Sequence, residues 1–338
     1  MEETTYNSEM TISEDYSGFI PPCNNEDVYA FVFLYTTILN SFFFIFGITG
    51  NVLVIWILIT YEHMESLTNV FIFNLSVADL LLTACLPFFA VYHRQGWIFG
   101  PVTCKAFNIL FSLAFYSGII FLTCLTYYRY VAVVNPLSVL KNKRHLNGVL
   151  VTVLFWVVSL CASIPVIIFQ TQTWFSDFAQ CDYKQKYPIL VIHYQQNVSF
   201  FVAFCVIVYC YFRIIRTLNN SRSQINHKPV KLILVIVALY LVSWAPYNIV
   251  ILLQSFELQQ LFLSCELRKN LIYAKYVTEN IAFSHCCLNP ILYAFVGVKF
   301  RTHLKSVIKC AKHRKRSQQH ATRSISQNHD YNEVGSVF

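Results

Sequence analysis

The chain has 338 residues, of which 56% are hydrophobic and only 12% charged, with a net charge of +8. Soluble globular proteins carry about 25% charged residues, and a water-soluble fold has nowhere to hide this much apolar surface. No nucleophile with a neighbouring base, glycine-rich phosphate loop or metal-ligand spacing occurs, which speaks against an enzyme.

Residues 1–28 read as an acidic tail, with seven acids and no Lys or Arg between Met1 and Asp27. It lacks the basic-then-apolar pattern of a cleavable leader, so the first apolar run is expected to serve as the insertion signal. Seven apolar runs follow, at about 29–59, 67–92, 102–134, 146–169, 189–218, 230–256 and 271–296. Each is long enough for a helix rising about 1.5 Å per residue to cross about 30 Å of hydrocarbon. The runs are continuous rather than alternating, which favours helices over barrel strands, and no repeat of the transporter kind is evident. The expected fold is an all-α membrane protein, a seven-transmembrane helix bundle over residues 29–296. Residues 297–310 read as a short basic amphipathic helix on the anionic inner leaflet, and residues 311–338 as a cytoplasmic tail.

With the amino terminus outside, 18 of the 25 Lys and Arg fall on the inner side and 7 on the outer. This obeys the rule for inward positive charge and predicts a multi-pass protein of the plasma membrane with an extracellular amino terminus. The acidic outer face would speed encounter with a basic ligand. The plainer alternative is a tail that merely stays soluble. The basic run at 312–316 is read as membrane contact rather than nucleic-acid binding.

Of twelve cysteines, seven lie in the spans and Cys310 is cytosolic, where it is a palmitoylation candidate. Cys23, Cys104, Cys181 and Cys265 face the oxidising exterior, and four cysteines allow three connectivities. The pairs expected are Cys104 with Cys181 and Cys23 with Cys265.

Ionisable groups inside a bilayer are costly and therefore functional candidates. Asp79 falls near the midplane, either as a packed polar group or as a cation or proton site, sodium being the candidate ion. Asn51, Asn74, Asn289 and His285 are its expected polar surroundings. Glu279 precedes Asn289 by ten residues, about 15 Å nearer the outside. It either pairs with Lys275 one turn away or faces a cavity and receives a cationic ligand group. Arg129 falls at the cytoplasmic end of the third span. Pro87, Pro165, Pro246 and Pro290 mark bends, with Trp244 and Tyr293 beside two of them.

In order along the chain, Gly50-Asn51, Asn74 to Asp79, Arg129-Tyr130, Trp156, Trp244-Ala-Pro246 and Asn289-Pro-Ile-Leu-Tyr293 resemble the rhodopsin-like G-protein-coupled receptors. Leu86-Pro87-Phe88, Trp97 to Gly100, Trp244 to Asn248, Ser284 to Pro290, Val296 to Arg301 and the outer Cys23 and Cys265 are similar to the chemokine receptors among them. The segments at 65–69, 283–287 and 297–304 most resemble the lymphotactin (XC) type. The resemblance implies a small basic chemokine ligand, an inhibitory-class heterotrimeric G protein, and arrestin and receptor kinases acting on the tail. It implies ligand contacts at Tyr6, Glu14, Asp15 and Tyr16 of the tail, the two tyrosines being sulfation candidates, and at Asp177 and Glu279. Phe89, Tyr92, Phe111, Tyr247 and Tyr276 would form vestibule walls. Activation and coupling would fall to Tyr128, Arg129, Tyr130, Tyr211, Trp244, Pro246, Asn289, Pro290 and Tyr293. Several residues depart from the family's pattern: Tyr128 replaces the acid before the arginine, Ala203 a proline, Phe89 a tryptophan and Asn40 a tyrosine. The first departure favours a rival reading, a scavenging receptor that binds chemokine without activating G proteins.

Overall fold

In hydrocarbon a backbone N–H or C=O has no water to bond, so each apolar run must satisfy its own backbone, and the helix does so. The computed structural model describes residues 26–62, 64, 66–135, 148–175, 178–220, 227–259, 264–296 and 301–302. The helices are α1 (Glu26–Tyr61), α2 (Leu67–Gln95), α3 (Pro101–Val134), α4 (Gly148–Ala162), α5 (Ile164–Phe169), α6 (Lys186–Asn220), α7 (His227–Leu258), α8 (Cys265–Phe283) and α9 (His285–Val296). Spans one to three are α1 to α3, span four is α4 with α5, spans five and six are α6 and α7, and span seven is α8 with α9.

Two spans are broken where the apolar pattern runs on without interruption. Span four divides at Ser163, two residues before Pro165, whose ring lacks an N–H and crowds the carbonyl four residues earlier. Span seven divides at Ser284, whose hydroxyl bonds the Ile281 carbonyl while the His285 ring bonds that of Ala282. Such side-chain bonds compete with the helical ladder. Consequently, among the described residues, five helices are singly long and apolar enough to cross a membrane, and α4 is shorter.

The spans close a ring: α1 lies beside α2, α2 beside α3, α3 beside α4 and α6, α6 beside α7, α7 beside α8, and α8 and α9 return to α1. Polarity is turned inside out relative to a soluble protein. Phe42, Ile45, Phe46, Val153, Leu154, Phe201 and Phe212 are exposed, whereas Asn51, Asn74, Asp79, Ser117, His285 and Asn289 are buried. Lipid accounts for the first set, and helix-to-helix hydrogen bonds for most of the second. The Asn74 amide receives Trp156 Nε1 at 2.9 Å and reaches Thr152 Oγ1 at 3.1 Å, fastening span two to span four.

A short antiparallel ribbon, β1 (Gln170–Phe175) and β2 (Phe178–Tyr183), adds to the all-α expectation. Its six-residue strands give no apolar run for a hydropathy reading to find. β1 lies against α3. Of the amphipathic helix expected after Val296, only Arg301 and Thr302 are among the described residues, and both are helical and exposed.

Spans one and seven approach closely at Gly50, where an added Cβ would sit 2.8 Å from the Pro290 ring. A proline ring cannot swing aside. Gly50→Ala is therefore expected to cost about 1–3 kcal/mol by overpacking, read as a lower thermal midpoint of the purified protein. An unchanged midpoint would show that this close approach is not needed.

Candidate functional site

At the outer end, Cys104 at the start of α3 is disulfide-bonded to Cys181 in β2, with Cα atoms 5.6 Å apart. The bond pins the ribbon over the mouth of the bundle. Asn108 Nδ2 reaches Cys181 Sγ at 2.9 Å, and the Trp97 N–H donates to the Ala179 carbonyl at 2.7 Å. Cys265 is also disulfide-bonded; its expected partner Cys23 lies outside the described residues. Beside it, Lys269 pairs with Asp27 at 2.5 Å and joins the start of α1 to the start of α8. The Lys269 hydrogen bond lowers the Asp27 pKa, and the same bond raises that of Lys269. Asp27's contribution is lost as pH falls through its folded pKa and Lys269's as pH rises through its own, so the tie spans the neutral range.

Beneath this roof lies an aromatic vestibule. Phe89 meets Phe107, Phe111 and Phe283 with ring centroids 4.9, 5.8 and 5.8 Å apart, and His93 meets Tyr276 at 5.0 Å. Tyr92 lies 5.8 Å from Trp97 and feels Asp182, Tyr276 and Lys275. Tyr247 is buried near Glu279, Tyr183 and Tyr276. Tyr183, on β2, donates its hydroxyl to Gln170 Oε1 at 3.0 Å, and burial, then Asp182, raises its pKa.

Glu279, on α8, is 7% exposed and lies near Tyr247. It makes no ion pair with Lys275, whose ammonium instead lies 5.8 Å from the Tyr276 ring centroid. Among the described residues the carboxylate has no hydrogen-bond partner. The five expected wall residues and Glu279 are thus brought to one end of the bundle. His93, His193 and Tyr183 join them without having been read from the sequence. His193 Nδ1 lies 3.0 Å from Ser255 Oγ and links spans five and six. A histidine in the outer turn of an apolar run was the one available signal. Tyr6, Glu14, Asp15, Tyr16 and Asp177 lie outside the described residues, as does Cys310.

At the midplane, Asp79 Oδ2 accepts from Asn289 Nδ2 at 2.8 Å and Oδ1 lies 3.2 Å from His285 Nε2. Asn51 and Asn74 depart from expectation: the Asn51 amide donates to the carbonyls of Gly47 and Cys286, which leaves its buried Oδ1 without a hydrogen-bond partner, and Asn74 is taken up by Trp156 and Thr152 of span four. Asp79, His285 and Cys286 bring an oxygen, a nitrogen and a sulfur together. Hard cations take oxygen lone pairs, so these neighbours do not fit the sodium ion expected there. The His285 ring also touches Tyr240 and Trp244, with centroids 5.2 and 5.5 Å away, and Trp244 continues the contact to Phe115 and Tyr247. Pro246 and Pro290 lie inside α7 and α9 beside these contacts.

At the inner end, Tyr128 packs edge-on against Phe71, and Arg129 Nε is buried without a hydrogen-bond partner. Tyr130 lies tilted against Tyr209, 6.0 Å between centroids, while Tyr211 donates its hydroxyl to the Leu234 carbonyl and ties α6 to α7. Tyr293 is buried.

Comparison with known proteins agrees with this layout. The family described as 7 transmembrane receptor (rhodopsin family) matches residues 50–293. The human chemokine XC receptor 1 is 43% identical over 307 residues, 91% of each chain. The mouse chemokine XC receptor 1 is 40% identical, covering 84% of this chain and 85% of its own. The human C-C chemokine receptor type 4 is 34% identical, covering 87% of this chain and 83% of its own. Such proteins are receptors rather than enzymes. A disulfide-roofed vestibule, a polar midplane and the matched length together place this chain in the chemokine receptor branch of the rhodopsin-family seven-transmembrane receptors.

Proposed function

We propose that the protein is a plasma-membrane receptor of the XC (lymphotactin) type, with its amino terminus outside, that binds a small basic chemokine and activates inhibitory-class G proteins. One observation carries the reading: Glu279 is a buried carboxylate, without a hydrogen-bond partner among the described residues, close to Tyr247 at the aromatic outer end of the bundle. An isolated charge there is unfavourable, and a ligand ammonium or guanidinium would relieve it. The tail, with Tyr6 and Tyr16 as sulfation sites, first holds the folded chemokine by charge. The ligand's flexible end then enters and binds one helix arrangement better than the other, which shifts the population. The movement is read at Arg129, Tyr130, Tyr211 and Tyr293, and kinases and arrestin act later on the tail. Cys310 acylation and the basic segment at 299–309 hold that region to lipid.

Tyr128 and the unpartnered Arg129 Nε favour a second reading, a receptor that captures chemokine without signalling. Purified receptor, a panel of chemokines and a nucleotide-exchange assay separate the two. Exchange driven by a basic chemokine is the expected outcome. Binding without exchange would establish the scavenger, and no binding at all would sink both. In the same assay Tyr128→Asp is expected to lower basal exchange several-fold, because an acid beside Arg129 gives its guanidinium a charge-assisted partner in the resting state. Unchanged basal exchange would remove Tyr128 from the account.

A further inference from the structure

A carboxyl group as deep as Asp79, 2% exposed, must have its charge closed; leaving one open at the bilayer centre costs from about 2.5 to more than 10 kcal/mol. A bound alkali cation would do this, but it would need oxygen lone pairs turned toward it. Among the described residues, what meets the carboxylate is nitrogen: Asn289 Nδ2 at 2.8 Å on one oxygen and His285 Nε2 at 3.2 Å on the other. The donors of the neighbouring polar groups are committed elsewhere, and Asn51 Oδ1, buried without a hydrogen-bond partner, is a single oxygen and short of the set a cation takes. Asn51 Nδ2 donates to the Gly47 and Cys286 carbonyls, and the Thr83 hydroxyl donates to the backbone carbonyl of Asp79.

The second nitrogen of His285 fixes the tautomer of the ring. Nδ1 faces the carbonyl of Ala282, which only accepts, so Nδ1 must carry a hydrogen. Nε2 therefore meets the carboxyl with its lone pair unless one further proton lies between the two groups. With that proton both contacts are favourable, and the imidazole and carboxyl together are neutral whichever of them holds it. The ring cannot easily leave: Tyr240 and Trp244 lie against it at 5.2 and 5.5 Å, and Cys286 Sγ lies 3.7 Å from Nε2.

We infer that His285 is the built-in partner of Asp79 and occupies the place of a bound alkali cation, so that the receptor's conformational balance is indifferent to sodium. The tie joins span two to span seven one residue after the break at Ser284, under the Trp244 ring. It thereby couples the hinge of span seven to the midplane by a side chain rather than by an exchangeable ion. This inference needs no chemokine and stands apart from the ligand reading.

The test uses the full-length receptor, purified into lipid nanodiscs without ligand. Its thermal midpoint is followed as choline chloride is replaced by sodium chloride at constant ionic strength. The wild type is expected to show no shift. His285→Asn, which offers an oxygen lone pair and frees room beside Asp79, is expected to gain a sodium-specific rise of about 2 °C or more. Should that variant fail to fold, His285→Ala gives the same readout. A wild type stabilised by sodium but not by choline overturns the inference, and so do His285 variants that fold and remain indifferent to sodium.

Discussion

Glu279→Gln is expected to reduce chemokine affinity by about 30-fold or more, because removing one member of a desolvated charge pair costs about 2–5 kcal/mol. The substitution keeps the shape of the side chain and removes only its charge. The free receptor gains from the same change, since a buried carboxylate with no hydrogen-bond partner among the described residues becomes a neutral amide. The loss should therefore appear mainly as faster dissociation, together with equal or higher thermal stability of the unliganded receptor. Neutralising Glu14 and Asp15 should behave differently: association slows and its salt dependence flattens while dissociation changes little, since tail charges steer at a distance. Binding kinetics on the purified receptor separate these effects. Full affinity in Glu279→Gln would move the cationic contact elsewhere in the vestibule.

The second large effect is expected at the outer disulfide. Cys181→Ser releases the ribbon from α3, opening a link between residues 77 apart. Disulfides of this kind contribute about 2–4 kcal/mol, so the thermal midpoint should fall by several degrees. Binding should suffer beyond the stability loss, because the ribbon carries Asp182 and Tyr183 over the vestibule, with Tyr183 among the neighbours of Tyr247. The Trp97 to Ala179 backbone bond remains to hold one edge of the ribbon. Chemokine binding measured on the fraction that stays folded distinguishes lost roof from lost fold. Wild-type affinity in that fraction would show that the ribbon does not shape the binding mouth.

Much of the arrangement was legible in the chain before any folding was seen. Hydropathy alone yielded seven spans, because the bilayer imposes one length and one backbone solution on every crossing segment. Their ends agree with the helices to within a few residues in spans one to three and five to six. The ordered motifs from Gly50-Asn51 to Asn289-Pro290-Tyr293 were enough to place the chain among its relatives, and Glu279 stood out as a charge in an apolar run.

What tertiary structure alone decided is which polar groups meet. In the sequence Glu279 had Lys275 one turn away, yet in the bundle the lysine turns to the Tyr276 ring and the two make no ion pair. Asn51, Asn74, His285 and Asn289 were equal candidates to surround Asp79; folding brings in the last two, gives Asn51 to the backbone of span seven and gives Asn74 to span four. The break at Ser163 follows from Pro165, which the sequence marks, but the one at Ser284 is invisible to hydropathy, which sums side-chain transfer energies and is blind to where a hydroxyl or imidazole captures a carbonyl. Membrane insertion is a property of each segment, readable one segment at a time. The partner of a buried charge depends on how separate helices face one another, and residues 206 positions apart, such as Asp79 and His285, share a contact only once the ring of spans has closed.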